Sequence, residues 1–271
     1  MKISIITATY NSGSTLRDTI ESVLRQTYPD IEYIVVDGAS TDSTLNIVRE
    51  YEPMFGGRMR WISAPDRGIY DALNKGIGMA TGEVVGFLHS DDFFSSPDVV
   101  ERLAGELERN DRIDAVYGDI HYVSDKDLNK CVRYYSSAYF RRWMMLFGFM
   151  PAHPSFYCRK EIYGRLGMFS LSYQVAADFE CLLRLIYVGK INLKYVPLDC
   201  VTMRIGGAST SGIASHKKIF KDHVRAYREN HVPSNGLLDS LRYICKGGEI
   251  IKFKISHSTR NIETKQNTEY E

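Results

Sequence analysis

The chain has 271 residues, 44% of them hydrophobic and 25% charged, an ordinary make-up for a globular protein with room for one large α/β domain or two small ones. Its 34 basic and 33 acidic residues leave a net charge of +1, so overall charge makes no case for nucleic acid as a partner. Five cysteines (Cys131, Cys158, Cys181, Cys200, Cys245) are widely spaced and include no Cys-x-x-Cys. They point to neither a zinc site nor a disulfide framework, and fit a reducing cytoplasm.

In chain order, the opening Met-Lys-Ile-Ser-Ile-Ile-Thr-Ala-Thr-Tyr-Asn reads as a strand and not as a signal peptide. No later stretch approaches the ~18 consecutive apolar residues of a membrane span. Leu16, Ile20, Val23 and Leu24 recur at helical spacing and form one buried stripe, which stops near Tyr28-Pro29. Residues 31–36 make a second apolar strand that ends on Asp37-Gly38, and Ser40-Thr-Asp-Ser-Thr caps a helix carrying Leu45, Ile47, Val48 and Tyr51. Two strand-to-helix units in so short a span imply parallel pairing. A short third strand at Trp61-Ile62 closes on Ala64-Pro-Asp-Arg-Gly, and a helix follows over 70–79. Val84, Val85, Phe87 and Leu88 then form a strand buried on both faces that stops on Asp91-Asp92.

Polar residues therefore follow each strand: 7–11, Asp37, Asp66-Arg67 and Asp91-Asp92. On a parallel sheet they converge on the carboxyl edge, where ligands bind. Two adjacent carboxylates repel unless a positive group lies between them, and a hard divalent cation holding phosphate oxygens is the usual one. The competing reading is a turn leading into a helix that starts at Ser95-Ser-Pro-Asp. The chain lacks a Gly-x-Gly-x-x-Gly after the first strand and a Gly-x-x-x-x-Gly-Lys-Ser/Thr, which argues against dinucleotide oxidoreductases and P-loop enzymes.

Further on, a strand is expected from Ile113, and an apolar stretch at 139–150 holds Arg141 and Arg142 beside Trp143. Pro151 and Pro154 flank His153 and hold its loop extended. Phe179, Leu182, Leu183 and Ile186 mark a helix near 175–186, and a glycine-rich turn begins at Arg204. After Pro233, residues 237–255 mix Leu, Ile and Phe with Arg242, Lys246, Lys252 and Lys254. That segment suits a bilayer interface and equally suits docking on the domain. Residues 257–271 are polar and read as disordered.

Ile5-Ile-Thr-Ala-Thr-Tyr-Asn, Glu21-Ser-Val-Leu-Arg-Gln-Thr-Tyr, Glu32-Tyr-Ile-Val-Val-Asp-Gly-Ala-Ser-Thr-Asp-Ser-Thr, Asp66-Arg-Gly-Ile-Tyr-Asp-Ala-Leu-Asn-Lys-Gly and Leu88-His-Ser-Asp-Asp, in this order, resemble the family 2 glycosyltransferases. The resemblance covers about residues 1–215 and implies a GT-A fold: an α/β, Rossmann-like, mostly parallel sheet flanked by helices. A nucleotide-sugar half at about 1–112 and an acceptor half at about 113–215 would precede a helical extension at 216–256.

It implies a metal-dependent, inverting transfer of a hexosyl or N-acetylhexosaminyl unit, most simply from a UDP-sugar. The acceptor would be a saccharide or lipid-linked saccharide of a bacterial surface polysaccharide, at the inner face of the cytoplasmic membrane. Asp37 would accept the imide N–H of a uracil-like base, with Thr7 and Thr9 bordering it, and Asp66 and Arg67 would lie by the diphosphate. Asp92 would ligate Mn²⁺ or Mg²⁺, and Asp91 would contact the ribose or the metal's waters. His153 and Trp143 would meet the acceptor, and Asp178 would be the catalytic base.

The family often carries Glu-Asp where this chain has Ala177-Asp178, so Glu180 stays a second candidate. The glycine turn after Arg204 would close over the donor. The alternative is a catalytically inactive nucleotide- or carbohydrate-binding partner of the same fold. A nucleotidylyltransferase would need a glycine-rich, basic N-terminal loop that this chain lacks.

Overall fold

The computed structural model describes residues 1–173, 175–205 and 212–242. The first half alternates strand and helix: β1 (Ile3–Thr9), α1 (Leu16–Leu24), β2 (Ile31–Asp37), α2 (Thr44–Tyr51), β3 (Met59–Ser63), α3 (Ile69–Met79) and β4 (Val84–Phe87). Then come a two-residue β5 (Phe93–Phe94), α4 (Val99–Glu108), β6 (Ala115–Ser124), β7 (Asp127–Tyr135), β8 (Tyr157–Arg159), α5 (Lys160–Leu166), α6 (Ala177–Leu182), β9 (Leu193–Arg204) and α7 (Gly212–Glu229).

Every residue of β1, β2 and β4 is buried, because helices cover both faces. Alternate side chains serve two cores. Ile6, Ala8, Ile34, Val36, Val85 and Phe87 pack with Ala72, Leu73 and Ile77 of α3 on one face. Ile3, Ile5, Tyr33, Val35 and Val84 meet Leu16, Ile20, Ile47 and Val99 on the other.

Among the described residues the strands form one nine-stranded sheet in the order β3-β2-β1-β4-β8-β6-β9-β5, with β7 beside β6. The β3-β2-β1-β4 half is parallel, as the strand-helix alternation predicts. Beyond β4 the sheet is mixed: β8 runs antiparallel to β4 and to β6, and β6 is parallel to β9. Gly86 of β4 is required here, since a Cβ at that position would lie 2.3 Å from the ring of Tyr157 on β8.

Two local expectations change. The segment around His153 is a short 3₁₀ turn (His153–Ser155) with Pro154 in its first turn, where proline loses no hydrogen bond, and not an extended loop. The helix expected near 175–186 is α6 continued by a π-helical turn, Leu183–Val188.

Of the C-terminal extension, α7 and the helical residues 236–242 dock on the domain. The Tyr227 hydroxyl donates to the Met145 carbonyl at 3.0 Å, and Ala226 and Tyr227 join the core that holds Phe179. The glycine turn at 206–211, the extension from 243 onward and the tail at 257–271 lie outside the described residues. Among the described residues no helix is long and apolar enough to cross a membrane.

A buried carboxylate ties β2 to its surroundings. Glu32 accepts hydrogen bonds from Ser4 Oγ at 2.6 Å, Thr81 N at 2.8 Å and Arg60 at 3.1 Å. Burial opposes its ionisation, but these donors outweigh it and hold Glu32 below the usual glutamate range. A depressed carboxylate stabilises the fold above the unfolded value of about 4.3, and this contribution fades as pH falls through the folded value. Glu32→Gln is therefore expected to lower unfolding stability at pH 7, with the gap to the native chain closing below about pH 4. Urea melts between pH 7 and 3 measure it, and a gap constant with pH would contradict the assignment.

Candidate active site

The loops after β1 and β2 are bonded to each other. Asn11 N donates to Ser40 Oγ at 2.7 Å, and Thr41 N donates to Asn11 Oδ1 at 2.9 Å. Asn11 and Ala39 both hold positive φ, at 49° and 65°. For alanine this region costs roughly 1 kcal/mol or more, a strain that the surrounding bonds must over-determine.

Asp37, fully buried at the end of β2, accepts from Ser40 N at 3.0 Å, from Ser40 Oγ and from Ser63 Oγ at 2.6 Å. Asp66 arrives from the loop after β3, where its Oδ1 accepts from Gly68 N at 2.8 Å. A Cβ on Gly38 would sit 2.7 Å from the other Asp66 oxygen and 3.3 Å from the Tyr10 ring, so only glycine lets these loops close. Tyr10 itself is 64% exposed, an aromatic face at the mouth of the crevice.

The Asp pair occupies a tight turn between β4 and β5, in which Asp92 N donates to His89 O at 3.0 Å. Three residues at the start of α1 fix this turn. Ser12 and Ser90 share a hydroxyl hydrogen bond at 2.8 Å, Thr15 Oγ1 donates to Ser90 O at 2.8 Å, and Thr19 Oγ1 donates to Asp92 O at 2.7 Å. From the far side Arg204, at the end of β9, donates to the Asp91 carbonyl at 2.7 Å and pairs with Asp18.

The two carboxylates differ. Asp91 is half-buried, whereas Asp92 is 1% exposed and neither of its side-chain oxygens has a hydrogen-bond partner among the described residues. Burial, and then the neighbouring Asp91, push Asp92 well above the usual carboxylate range against the opposing pull of Arg204. An orphaned acid of this kind is neutral unless a cation joins it, so the pair fits a divalent ion in charge and in ligand type. Among the described residues no group of three or more such side chains encloses a site, so phosphate and water oxygens would have to complete the coordination.

Asp178 lies in the first turn of α6, half-buried, where its Oδ1 accepts from Phe179 N at 2.8 Å and faces the Tyr70 hydroxyl at 3.4 Å. Tyr70 begins α3, directly after the Asp66-Arg67 loop, and its hydroxyl also donates to the Val175 carbonyl. Burial, and then the Asp178 charge, raise the Tyr70 phenol, so it stays protonated and able to donate. A continuous ring path connects the two ends of the site. His89 stacks on His153 at 6.0 Å, His153 meets Phe169 at 5.6 Å, and Phe169 stacks on Tyr70 at 5.7 Å.

The remaining sequence candidates divide by exposure. Thr7 is buried with its hydroxyl donated to the Leu88 carbonyl at 2.7 Å, so it holds β1 to the end of β4. Thr9 is buried with an unpartnered hydroxyl among the described residues. Arg67 is exposed and pairs loosely with Asp71 at 3.6 Å. His153 does not line an open channel: it is 6% exposed and stacked on Phe87 at 5.2 Å, and burial, then His89, push its imidazole down to about 3. Trp143 is exposed on a 3₁₀ turn, edge-on to Phe147. Glu180 is bound to Arg184 at 3.0 Å and to Asn230 at 3.2 Å, which leaves Asp178 as the carboxylate of α6 that faces Tyr70. Sequence reading missed Tyr70 and Arg204. Tyr70 lies inside the Asp66-Arg-Gly-Ile-Tyr stretch, and Arg204 lies two residues before the first glycine of the turn.

These features define an α/β protein whose strand-end carboxylates gather at the carboxyl edge of its parallel strands, the edge at which such folds bind ligands. The sequence profile of glycosyl transferase family 2 matches residues 4–166, and the chain belongs to that family. It is 33% identical over 177 residues to a PGL/p-HBAD biosynthesis glycosyltransferase of Mycobacterium bovis, a match spanning 65% of this chain and 66% of the relative, just under two thirds of its length. It is 32% identical over 219 residues to an uncharacterized glycosyltransferase of Mycobacterium tuberculosis, spanning 80% of this chain and 78% of that one.

Among solved structures, S. aureus TarS 1–349 in complex with UDP-GlcNAc matches 86% of this chain and 67% of its own, with a TM-score of 0.66 and 18% identity. The mannosyltransferase PcManGT from Pyrobaculum calidifontis, in complex with GDP-Man and Mn²⁺, matches 84% of this chain and 63% of its own, with a TM-score of 0.63 and 20% identity. The fold is that of the GT-A glycosyltransferases.

Arg204→Met removes a charged donor from a buried turn, which is worth about 1.5–3 kcal/mol of stability. Denaturant melts are expected to show a loss of that size, and an unchanged midpoint would mean that the Asp91 turn holds without Arg204.

Proposed function

We propose that the protein is a metal-dependent inverting glycosyltransferase that moves a hexosyl or N-acetylhexosaminyl unit from a UDP-sugar to a saccharide or lipid-linked saccharide of a bacterial surface polysaccharide. The observation that carries this reading is Asp178 facing Tyr70, on the helix that follows the Asp66-Arg67 loop, with rings linking it to the Asp91-Asp92 turn. The UDP-GlcNAc bound to TarS and the GDP-Man and Mn²⁺ bound to PcManGT support a nucleotide-sugar and a divalent ion.

An ionised carboxylate offers about four lone-pair sites. Three donors already reach Asp37, so one site remains for the imide N–H of uracil. The exposed Tyr10 ring would flank the base, and the Thr9 hydroxyl would find its missing partner there. Arg67 and Asp66 would border the diphosphate.

Mn²⁺ or Mg²⁺ would be held at the Asp pair. Its ligands must face both the protein and the diphosphate, so the half-buried Asp91 is the accessible ligand in this proposal and Asp92 supplies charge beneath it. That exchanges the roles expected from sequence. The bound ion would offset the charge that grows on the departing nucleoside diphosphate.

Asp178 takes the proton of the acceptor hydroxyl while that oxygen bonds to the anomeric carbon and the carbon–oxygen bond to the diphosphate breaks. One displacement from the opposite face inverts the centre without a covalent intermediate. Tyr70 borders the base and orients its segment by donating to the Val175 carbonyl. Trp143, exposed, is the proposed acceptor contact, and His153 shapes the floor below His89.

Release of nucleoside diphosphate from UDP-, GDP- and dTDP-sugars, with Mn²⁺ and with chelator, tests the reading. One UDP-sugar is expected to turn over with metal alone, Asp178→Asn should lose about 10²–10⁴-fold, and Asp91→Asn should lose the response to metal. Absence of turnover with every donor, alongside metal-dependent UDP binding, would overturn it in favour of a catalytically silent nucleotide-binding partner.

We place the reaction at the inner face of the cytoplasmic membrane, supported by the basic-apolar composition of 237–255. The full chain should co-sediment with anionic vesicles, and a chain ending at Arg242 should not. Equal absence of binding would remove the membrane from the proposal.

A further inference from the structure

The short helix that carries Asp178 does not hold itself in place. α6 and its π-helical continuation span only 177–188, too few residues to be stable alone, and the N-cap is Ala176, whose methyl group can accept no hydrogen bond. The two amides that lead into the helix are held from α7: Asp222 Oδ2 receives both Val175 N and Ala176 N, each at 3.3 Å. The next residue of α7, His223, lies flat on Phe179, with ring centroids 3.6 Å apart and planes 6° from parallel. Asp178 therefore has a residue held by α7 on each side.

His223 is itself fixed from further along the chain. Its Nδ1 is 2.8 Å from Asp239 Oδ1, which also accepts from the Tyr227 hydroxyl at 3.0 Å, and Arg242 pairs with Asp239 at 3.3 Å. All four side chains are buried. Above the base, the segment before α6 is held by the same helix: Tyr173 donates to Glu229 at 2.6 Å, and Arg225 donates to the Ser172 carbonyl at 3.0 Å and lies 4.5 Å from the centre of the Tyr173 ring. On the catalytic side Tyr70 shares this hold, since its hydroxyl donates to the Val175 carbonyl and lies 3.4 Å from Asp178 Oδ1.

We infer that the C-terminal extension is a positioning element for the catalytic base: Asp222 holds the amides of 175–176 that lead into the helix bearing Asp178, and His223, anchored on Asp239, fixes its rotation through Phe179. Asp222 and His223 touch neither reacting group. They act through the backbone of 175–176 and through the Phe179 ring. The inference deepens the glycosyl-transfer reading and rests on it for its kinetic consequence. A misplacement of about 1 Å at a reacting group can cost on the order of 10²-fold in rate.

The test uses the full chain and the variants Asp222→Ala, Asp222→Asn and His223→Phe. Asparagine keeps an acceptor oxygen for the 175–176 amides, and phenylalanine keeps the stacked ring without the bond to Asp239. For Asp222→Ala, kcat should fall about 10- to 100-fold with donor KM within about twofold, and Asp222→Asn should recover most of it. His223→Phe should fall between the native chain and Asp222→Ala.

Hydrogen exchange provides a readout independent of turnover. In Asp222→Ala the amides of 175–179 should exchange faster while α7 and the β1–β4 half stay protected. Unchanged kcat in a folded Asp222→Ala that turns over donor normally, or unchanged exchange at 175–179, overturns the inference. A fall in kcat that Asp222→Asn does not recover, with global loss of protection, also overturns it, since it reports general destabilisation. A native chain with no donor turnover sinks the glycosyl-transfer reading instead, and the exchange result still decides whether Asp222 holds the segment.

Discussion

β1 lies between β2 and β4 and is parallel to both, with Thr9 opposite Asp37 and Ile6 opposite Phe87. β3 continues the same direction, with Ser63 opposite Asp37. Strands that run one way release their following loops at one edge, and a reversed neighbour would have sent its loop to the far side. The pairing is enforced by burial. Each Ile, Val or Phe of these strands that is covered on folding contributes about 1.5–3 kcal/mol, and a shift of one residue would exchange the two cores. The carboxylates at 37, 66, 91 and 92 stand at one edge of the sheet because apolar side chains below them leave the strands no other register.

Loops assembled in this way still need to be held, and the restraints come from outside the parallel half. The turn with Asp91 and Asp92 is bonded to the first turn of α1 and to Arg204, 113 residues further along. It thereby keeps an orphaned acid beneath a half-buried one, an arrangement whose electrostatic cost either a proton or a cation relieves. Asp178 reaches the crevice by a different route, on a six-residue helix clasped between Tyr70 on one side and α7 on the other. The carboxylates at the strand ends are thus a product of sheet topology, and the placement of Asp178 is a product of helix docking. The extension, at least through 242, is part of the domain that carries Asp178 and not an arm apart from it.

Local pattern sufficed wherever one residue's neighbours in sequence decide its surroundings. The runs at 3–6, 31–36 and 84–88 are apolar without helical spacing, and the stripes at Leu16–Leu24 and Ile69–Met79 recur at helical spacing, so β1, α1, β2, α3 and β4 could be read directly. The polar endings of the strands could be read for the same reason, and the order of five motifs identified the family. The boundaries of α6 and the 3₁₀ turn at His153–Ser155 could not, because both depend on what packs against them. Ring-bearing residues of the motifs and loops also met different fates. His153, in a motif, is closed in by Phe87 and Phe169, whereas Tyr10 and Trp143 remain open to solvent.

The sequence by itself determined the class of fold, the set of carboxylates and their placement at strand ends, since strand burial and strand polarity are both written in short-range patterns. Only the tertiary structure decided which member of the Asp pair is the more exposed, that Glu180 is tied to Arg184 while Asp178 faces Tyr70, and that Arg204 holds the Asp91 turn while Asp222 and His223 hold the segment around Asp178. Apart from the Glu180–Arg184 pair within one helix, those outcomes depend on contacts between residues 44 to 186 positions apart. Nothing in a local window reports such a contact, because its energy exists only once the two segments have been brought together by the cores beneath them.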